Sequence, residues 1–320
     1  MSLDFGGDEL NIWWLVGAFI GAAILSALLV RLSMSAAHRW GITDGPDGGR
    51  KHQERPIPRM GGLAVAAAFT VVLLIATWAT GDAQSVALLA GVLLPALVVA
   101  GLGFLDDLLA LGPWVRLLGI AALALVVWWT GTRVEVTQSP VLDAAITVVW
   151  IVGITNAMNL LDNSDGLAAS TATISALGIA AVALIYGQYL VGALALALAG
   201  AALGFLWHNW HPATVYLGDA GAYFLGFLLA VTAIRLRPIE LDRTWSVFIA
   251  ILLLLLPIAD TTFVVLRRLV EKRHPFTPGR DHLSHVLMDR GLTVRQAVGA
   301  LQIVMVIGVI AAVALAWALR

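Results

Sequence analysis

The chain has 320 residues, of which 60% are hydrophobic and only 12% are charged, and it contains no cysteine. In soluble globular domains about 25% of residues are charged, roughly twice the fraction found here. The mean hydropathy of +0.91 is likewise strongly apolar. The sequence therefore indicates an integral membrane protein and excludes disulfides, thiolate metal sites and thiol catalysis. The net charge of -1 says little by itself, because the distribution of charge sets the orientation of a membrane protein.

Ten apolar segments divide the chain, each close to the roughly 20 residues that a transmembrane helix needs. They lie near residues 11–34, 61–80, 85–105, 115–130, 142–160, 166–186, 190–207, 220–236, 244–267 and 297–319. The first is interpreted as a retained helix rather than a signal peptide, because neither a basic leader nor an A-x-A cleavage site accompanies it. We therefore expect an all-α bundle of about ten transmembrane helices that forms a single domain over residues 1–320.

Basic residues separate the loops into two groups. The connections after the odd-numbered segments, together with Arg31, hold 14 of the 19 lysines and arginines, so the positive-inside rule predicts that these loops are cytoplasmic and both termini are outside. The cytoplasmic loops are expected near residues 35–60, 106–115, 160–166, 208–219 and 268–296. Because the polar motifs cluster in these loops, we expect an active site at the cytoplasmic edge of the bilayer, acting on one soluble and one lipid substrate.

A secondary transporter is the alternative from another functional class. Transporters place their binding groups near the bilayer midplane, on broken helices that are related by repeats, and no internal repeat is visible here. Only Asp260 favours this alternative. It precedes Arg267 by seven residues within an apolar stretch, so it is expected about two helical turns inside the membrane.

The predicted cytoplasmic loops are called inner loops. The first inner loop ends in PIPRMGG, before the second apolar segment. Its basic residues could serve only to set the topology. The ending is more particular, because proline fixes φ and paired glycines allow close packing at the start of a helix.

Two adjacent carboxylates, Asp106 and Asp107, end the third apolar segment. The helix dipole disfavours negative charge at this position by roughly 0.3–1 kcal/mol. Adjacent carboxylates also repel each other, which prepares one of them to accept a proton. The pair is therefore predicted to supply a general base, with an ordinary solvated helix end as the alternative.

The segment NAMNLLDNSDGL carries four polar residues at intervals of three, namely Asn156, Asn159, Asp162 and Asp165. On a continuous helix they would span about half of the circumference, but Asn163, Ser164 and Gly166 favour a break. Helix capping explains one or two of the four residues. We expect the segment to form a polar wall, in which the residues after the break precede a helix N-terminus that favours anions.

Asp219 lies between small residues at the start of the eighth apolar segment, in GDAGAYFLG. Mg²⁺ in proteins usually takes one or two carboxylates together with waters and substrate phosphates, so Asp219 is a candidate metal ligand, with a helix cap as the alternative. Upstream, Asn209 offers an amide and Tyr216 a stacking surface. Both groups are typical of nucleobase recognition.

The last inner loop contains Arg280, His282 and His285. Two histidines three residues apart can ligate zinc, but the sequence has no third strong ligand at a suitable spacing and no H-E-x-x-H motif. Arginine and histidine side by side more often neutralise phosphate. A basic loop that only sets topology or contacts anionic lipid is the alternative, and it suits the basic residues at 267–273 better than HLSH.

Taken in order, these five loops resemble the polyprenyl-phosphate N-acetylhexosamine-1-phosphate transferases, or glycosyltransferase family 4, from about residue 40 to residue 290. The resemblance implies transfer of a HexNAc-1-phosphate from a UDP-HexNAc to a polyprenyl phosphate such as undecaprenyl phosphate, with release of UMP. It also implies a requirement for Mg²⁺, for which Mn²⁺ can substitute. The expected protein is a multi-pass plasma-membrane enzyme of cell-envelope glycan synthesis, able to form a homodimer and without a nucleic-acid partner.

The resemblance also implies roles for individual residues. Asp106 and Asp107 match the family's catalytic pair, and Asn159 and Asp219 match positions associated with Mg²⁺ and the pyrophosphate. The other matches are substrate-binding positions, listed from the first loop to the last: Lys51, His52, Asp162, Asp165, Asn209, Tyr216, Arg280, His282 and His285. Of these, Asp165, Asn209 and Tyr216 fall at the uracil end, and the last three fall near the sugar and phosphates.

Two positions and one motif depart from the family pattern. Asn163 stands where the family has the first glycine of D-G-x-D-G, and Ala222 replaces the serine of GDxGS. HLSH differs from the three consecutive histidines of the peptidoglycan translocase, which makes UDP-N-acetylglucosamine the leading donor and phospho-MurNAc-pentapeptide transfer the alternative. A CDP-alcohol phosphotransferase is disfavoured because its D-G-x-x-A-R motif is absent.

Overall fold

The computed structural model describes residues 12–45, 55–80, 83–236, 241–277 and 279–320, so Lys51 and His52 lie outside the described residues. The described chain is helical apart from two short strands, β1 (Thr43–Asp44) and β2 (Ile57–Pro58). The strands pair antiparallel, with Thr43 opposite Pro58, and bring the two ends of the first inner loop together. The predicted all-helical architecture is confirmed.

Twelve helices follow one another in the described ranges: α1 (Ile12–Trp40), α2 (Gly61–Thr80), α3 (Ala83–Leu109), α4 (Pro113–Trp129), α5 (Pro140–Leu161), α6 (Leu167–Ile185), α7 (Tyr189–Asn209), α8 (Gly218–Ile234), α9 (Arg243–Leu253), α10 (Leu255–Val270), α11 (Leu283–Asp289) and α12 (Val294–Ala318). All ten predicted apolar segments are helical. The ninth is divided between α9 and α10, and α11 is a short additional helix in the last inner loop.

Among the described helices, seven are long and apolar enough to cross a membrane, and the number becomes eight if α9 and α10 form one bent span. The helices α4 and α8 are apolar but have only 17 residues each. A straight crossing needs roughly 20 residues. The chain is therefore a multi-pass membrane protein, while the count of about ten spans and the orientation stay predictions.

The ninth apolar segment is helical, but it does not form one continuous helix. The helices α9 and α10 meet at Leu254 and are bent by 76°. Pro257 lies in the first turn of α10, where its missing N–H and its ring are incompatible with a hydrogen bond to the carbonyl four residues earlier, at Leu253. The bend carries Asp260 towards the last inner loop.

At the centre of the bundle lies α8, of which every residue except Asp219 is buried. A helix that is apolar on all sides is stable only when other elements surround it. Glycines let two neighbours reach its backbone. A Cβ on Gly62 of α2 would lie 2.2 Å from the amide nitrogen of Gly221, and one on Gly103 of α3 would lie 2.4 Å from the carbonyl oxygen of Asp219. The first turn of α8 is thereby fixed against α2 and α3.

Candidate active site

The first turn of α8 meets the ends of α3 and α5. Asp107, Asp162 and Asp219 lie together there and form the carboxylate cluster. Ala220 donates its backbone N–H to Asp107 Oδ2 at 3.3 Å. Asn159, in the last turn of α5, donates Nδ2 to Asp219 Oδ1 at 2.7 Å. The structure thus brings together three of the predicted site residues, Asp107, Asn159 and Asp219, from three different helices.

Asp106 and Asp107 point to different partners. Asp106 is 5% exposed and accepts hydrogen bonds from Arg116 Nη1 at 2.9 Å, from the Leu111 amide at 2.8 Å and from the Tyr223 hydroxyl at 3.3 Å. Through these hydrogen bonds, Asp106 ties α3 to α4 and α8.

Asp107 forms a separate ion pair with Arg59, whose Nη2 lies 2.9 Å from Asp107 Oδ1. Arg59 belongs to the PIPRMGG segment and also lies 3.9 Å from Asp44. Each carboxylate of the pair therefore has its own arginine, which offsets the mutual repulsion on which the general-base prediction depended. Arg116 carries no signal of this role in the sequence, because a single arginine in a predicted cytoplasmic loop is indistinguishable from charge that only sets the topology.

The segment NAMNLLDNSDGL breaks as predicted, since α5 ends at Leu161 and α6 begins at Leu167. Gly166 has a φ of +77°, a left-handed conformation that glycine adopts without steric cost. Asp162 follows α5 directly and is only partly exposed. Burial raises the pKa of Asp162 well above its ordinary value, and the charges of Asp219, Asp107 and Asp165 raise it further. The negative charge of Asp162 is therefore unfavourable beside these neighbours.

This donor set fits Mg²⁺ better than a transition metal. In the part of the chain that the structure describes, no three histidine or acidic side chains form a ready metal cage. Mg²⁺ does not need one, because it keeps waters and substrate phosphates beside one or two carboxylates. Asp219, together with Asn159, which donates a hydrogen bond to it, would hold the ion.

Asp165 and Asn209 organise the loop between α7 and α8. Asp165 Oδ2 accepts from His211 Nδ1 at 2.7 Å and from the Ala213 amide at 3.0 Å. Asn209 accepts from the Gly166 amide at 3.0 Å and donates to the Val215 carbonyl at 2.9 Å. Both ends of the Asn209 amide are thus used by the backbone, so Asn209 positions this loop, and its contact with uracil stays a prediction.

Tyr216 connects the same loop to the first inner loop. Its backbone N–H donates to Pro58 at 2.8 Å, and its carbonyl accepts from Gly61 at 3.1 Å. Burial raises the pKa of the Tyr216 phenol to about 12, and Asp165 adds to this effect. Tyr216 is therefore a neutral phenol at pH 7, which suits the stacking role that the sequence suggested.

The last inner loop is held by α10. His282 Nδ1 donates to Asp260 Oδ2 at 2.8 Å, and the Leu283 amide donates to Asp260 Oδ1 at 2.8 Å. The sequence predicts that Asp260 lies about two helical turns inside the membrane, where it is the one point in favour of a transporter. Its hydrogen bond with His282 gives it a partner in HLSH, which removes that argument for a transporter.

A contact between loops joins HLSH to the carboxylate cluster. Ser284 donates to Asn163 Oδ1 at 2.5 Å, and Asn163 Nδ2 donates to the Leu160 carbonyl at 2.8 Å. The nearby His285 ring lies 5.9 Å from that of His282, and burial, followed by the effect of His282, lowers the pKa of His285. His282 and His285 thus lie beside the residue that departs from the family's glycine, while Arg280 is exposed in the same loop.

Comparison with known proteins identifies the family of this chain. The model of glycosyl transferase family 4 matches residues 89–237, from α3 to the end of α8. The probable undecaprenyl-phosphate N-acetylglucosaminyl 1-phosphate transferase of Bacillus subtilis is 34% identical over 89% of this chain and 80% of its own length. The chain belongs to glycosyltransferase family 4.

Two further relatives are similar to this chain over most of its length. The decaprenyl-phosphate N-acetylglucosaminephosphotransferase of Mycolicibacterium smegmatis is 32% identical over 80% of this chain and 71% of its own. The phospho-N-acetylmuramoyl-pentapeptide-transferase of Levilactobacillus brevis is 30% identical over 72% of this chain and 77% of its own. The family match contains the carboxylate cluster, whereas HLSH lies beyond its end.

Proposed function

We propose that this enzyme transfers N-acetylglucosamine-1-phosphate from UDP-GlcNAc to a polyprenyl phosphate, releasing UMP and forming a polyprenyl-diphosphate-sugar. The observation that carries the proposal is the convergence of Asp107, Asn159 and Asp219 in a chain so similar to polyprenyl-phosphate N-acetylglucosaminyl 1-phosphate transferases. Phospho-MurNAc-pentapeptide transfer is the second candidate, supported by the weaker similarity to the Levilactobacillus brevis enzyme.

In this reaction an oxygen of the lipid phosphate attacks the donor phosphorus nearest the sugar, and the bond from that phosphorus to the UMP oxygen breaks. Mg²⁺, when bound, would neutralise charge on the donor phosphates. Asp107 orients the lipid phosphate or accepts its proton, while Arg59 holds the Asp107 carboxylate. Asn159 fixes Asp219 through the 2.7 Å hydrogen bond. We favour direct attack over a phosphorylated aspartate.

Membrane placement follows from the same proposal. The excess of lysine and arginine in the inner loops favours a cytoplasmic position for the carboxylate cluster. A cytoplasmic site gives direct access to a soluble nucleotide sugar, while the apolar acceptor tail stays between the helices. A homodimer is compatible with this arrangement, since it leaves the site within one chain.

The test is an assay of the purified protein with polyprenyl phosphate, Mg²⁺ and a panel of UDP-HexNAc donors. The expected result is UMP release with UDP-GlcNAc that requires both the lipid and the metal. A preference for UDP-MurNAc-pentapeptide selects the second candidate. No UMP from any donor, together with substrate uptake by vesicles that contain the protein, would support a transporter and contradict the proposal.

A further inference from the structure

We propose that Asp260 is a positioning residue, which orients the His282 imidazole for the donor substrate. This inference rests on the proposed function, because it gives His282 a task in that reaction. Asp260 lies on α10, 22 positions before His282. It belongs to neither the carboxylate cluster nor the family match, which ends at residue 237.

The contact between the two residues is made at two points. Asp260 Oδ2 accepts from His282 Nδ1, and Asp260 Oδ1 accepts from the backbone amide of Leu283. Asp260 is 1% exposed and His282 is 5% exposed. One carboxylate therefore fixes both the ring and the backbone next to it, so the imidazole cannot rotate without breaking a buried, charge-assisted hydrogen bond.

The chemistry of histidine gives this arrangement a purpose. The two ring nitrogens are distinct, and a hydrogen bond from Nδ1 to a carboxylate determines the state of Nε2. With Nδ1–H donating to Asp260, Nε2 is the nitrogen left to meet a substrate atom.

Loop anchoring alone does not require Asp260, because α10 already anchors the loop elsewhere. Arg268 binds Asp281 through Nε at 2.9 Å and through Nη2 at 2.7 Å. It also donates Nη1 to the Pro275 carbonyl. This buried pair ties the loop to α10 two helical turns after Asp260. The separate contribution of Asp260 is the orientation of the imidazole.

The surroundings connect His282 to the carboxylate cluster. Ser284, two residues further on, donates to Asn163, and Asn163 is the neighbour of Asp162 in the chain. His285 also lies against the His282 ring, at 5.9 Å between ring centroids. The imidazole thus lies at the border between the loop and the proposed nucleotide site.

A double-mutant cycle tests the inference. Asp260→Asn and His282→Gln are made singly and together, and kcat and KM for UDP-GlcNAc are measured in each protein. We expect each single variant to lose about tenfold or more in kcat/KM, and the double variant to be no slower than His282→Gln. If Asp260→Asn slows the enzyme further in the His282→Gln background, Asp260 acts independently of His282 and the inference is wrong.

Asp281→Asn is the matched control, because it breaks the other anchor of the same loop. Its effect is expected to multiply with that of His282→Gln, since it acts on the loop rather than on the ring. Asp260→Glu keeps the carboxylate and provides a second test in case Asp260→Asn fails to fold. The Glu variant is expected to fold and to have reduced turnover, because its carboxylate is displaced by one methylene; wild-type turnover in this variant contradicts the inference.

A spectroscopic measurement separates this inference from the proposed function. In protein labelled with ¹⁵N-histidine, the His282 signals are those that disappear in His282→Gln. Asp260→Asn is expected to shift these ring-nitrogen signals while leaving the other histidines in place. Unchanged His282 signals would overturn the inference even if the enzyme uses another donor, whereas a negative UMP assay alone bears only on the proposed function.

Discussion

Asp106 and Asp107 are neighbours in the chain, yet their surroundings assign them different tasks. Asp106 is enclosed by donors from α4, from α8 and from the connection between α3 and α4. Asp107 faces the first turn of α8 beside Asp219, and its arginine comes from the first inner loop. Asp107 is therefore the better candidate for contact with the lipid phosphate, while Asp106 supports the geometry.

The two roles predict different defects. Asp107→Asn is expected to reduce kcat by roughly 100-fold, the low end for a lost general base, while UDP-GlcNAc binding is retained. Asp219→Asn is expected to lose activity mainly through weaker use of Mg²⁺, so a higher Mg²⁺ concentration restores part of the rate. Initial rates over a Mg²⁺ series, together with calorimetric nucleotide binding, distinguish the two defects.

Asp242→Asn is the control for these variants, because Asp242 is an exposed cap of α9 in the loop between α8 and α9. Asp242→Asn is expected to turn over normally.

Normal turnover in both Asp106→Asn and Asp107→Asn would show that the adjacent pair supplies no base.

Asp162 predicts a dependence of stability on pH. Because burial and its acidic neighbours raise its pKa, the folded protein binds this proton more tightly than the unfolded chain does. The carboxylate therefore costs stability progressively as the pH rises above its ordinary pKa of about 3.9. Asp162→Asn removes that cost. We expect the variant to melt at a higher temperature than the wild type in EDTA, with a larger gain at pH 8 than at pH 5.

Thermal melts of the detergent-purified proteins at several pH values check this expectation. Each kcal/mol corresponds to about 2–4 °C for proteins somewhat smaller than this one. Added Mg²⁺ is expected to reduce the gain, because the cation offsets the same repulsion. A lower melting temperature for Asp162→Asn at pH 8 would contradict this account of the cluster.

At the scale of elements, close helix contacts set the position of the cluster. Gly103 lies against the Asp219 carbonyl, whereas a Cβ on Gly101, two residues earlier on α3, would meet nothing within 4 Å. Gly103→Ala is expected to push α3 from the first turn of α8 and to lower kcat/KM at least tenfold, an energy of about 1.4 kcal/mol. Gly101→Ala adds the same methyl group to the same helix and is expected to leave activity unchanged. Equal activity in the two variants would mean that this contact does not position the site.

The sequence predicted where the helices lie better than how they bend. Hydropathy located all ten apolar segments, because burial and the membrane both demand apolar residues. It could not show the break at Leu254, since the apolar run LLLLLPIAD continues through it. Pro257 was the available signal. The seven residues of α11 were missed because two helical turns are too short to show a helical periodicity in the sequence.

At the scale of the whole molecule, the site is assembled from positions far apart in the chain. Asn159 and Asp219 are 60 residues apart, and Asn163 and Ser284 are 121 apart. Because successive helices cross the membrane in opposite directions, the sequence predicts that these residues lie on the same side of the membrane. The family resemblance predicts that some of them belong to one site. The contacts of Arg116, His211 and Asp260 depend on packing that no local pattern contains.

The absence of cysteine makes the predicted orientation easy to test. Gln138→Cys, in the loop between α4 and α5, and Arg290→Cys, after α11, each introduce one exposed thiol. A membrane-impermeant maleimide added to intact cells is expected to label Gln138→Cys only, and Arg290→Cys only after lysis. The reverse pattern would place the carboxylate cluster outside.

If α9 and α10 form one membrane span, the 76° bend between them makes the protein sensitive to the thickness of its membrane. With 11 residues, α9 rises only about 16 Å, roughly half of the 30 Å of hydrocarbon. Lipid chains beside it have to shorten their span or the helix pair has to tilt, at a cost of fractions of a kcal/mol per Å. That force acts on the helix that holds both Asp260 and Arg268. The acyl-chain length of the surrounding lipid is therefore a physical variable to which turnover should respond.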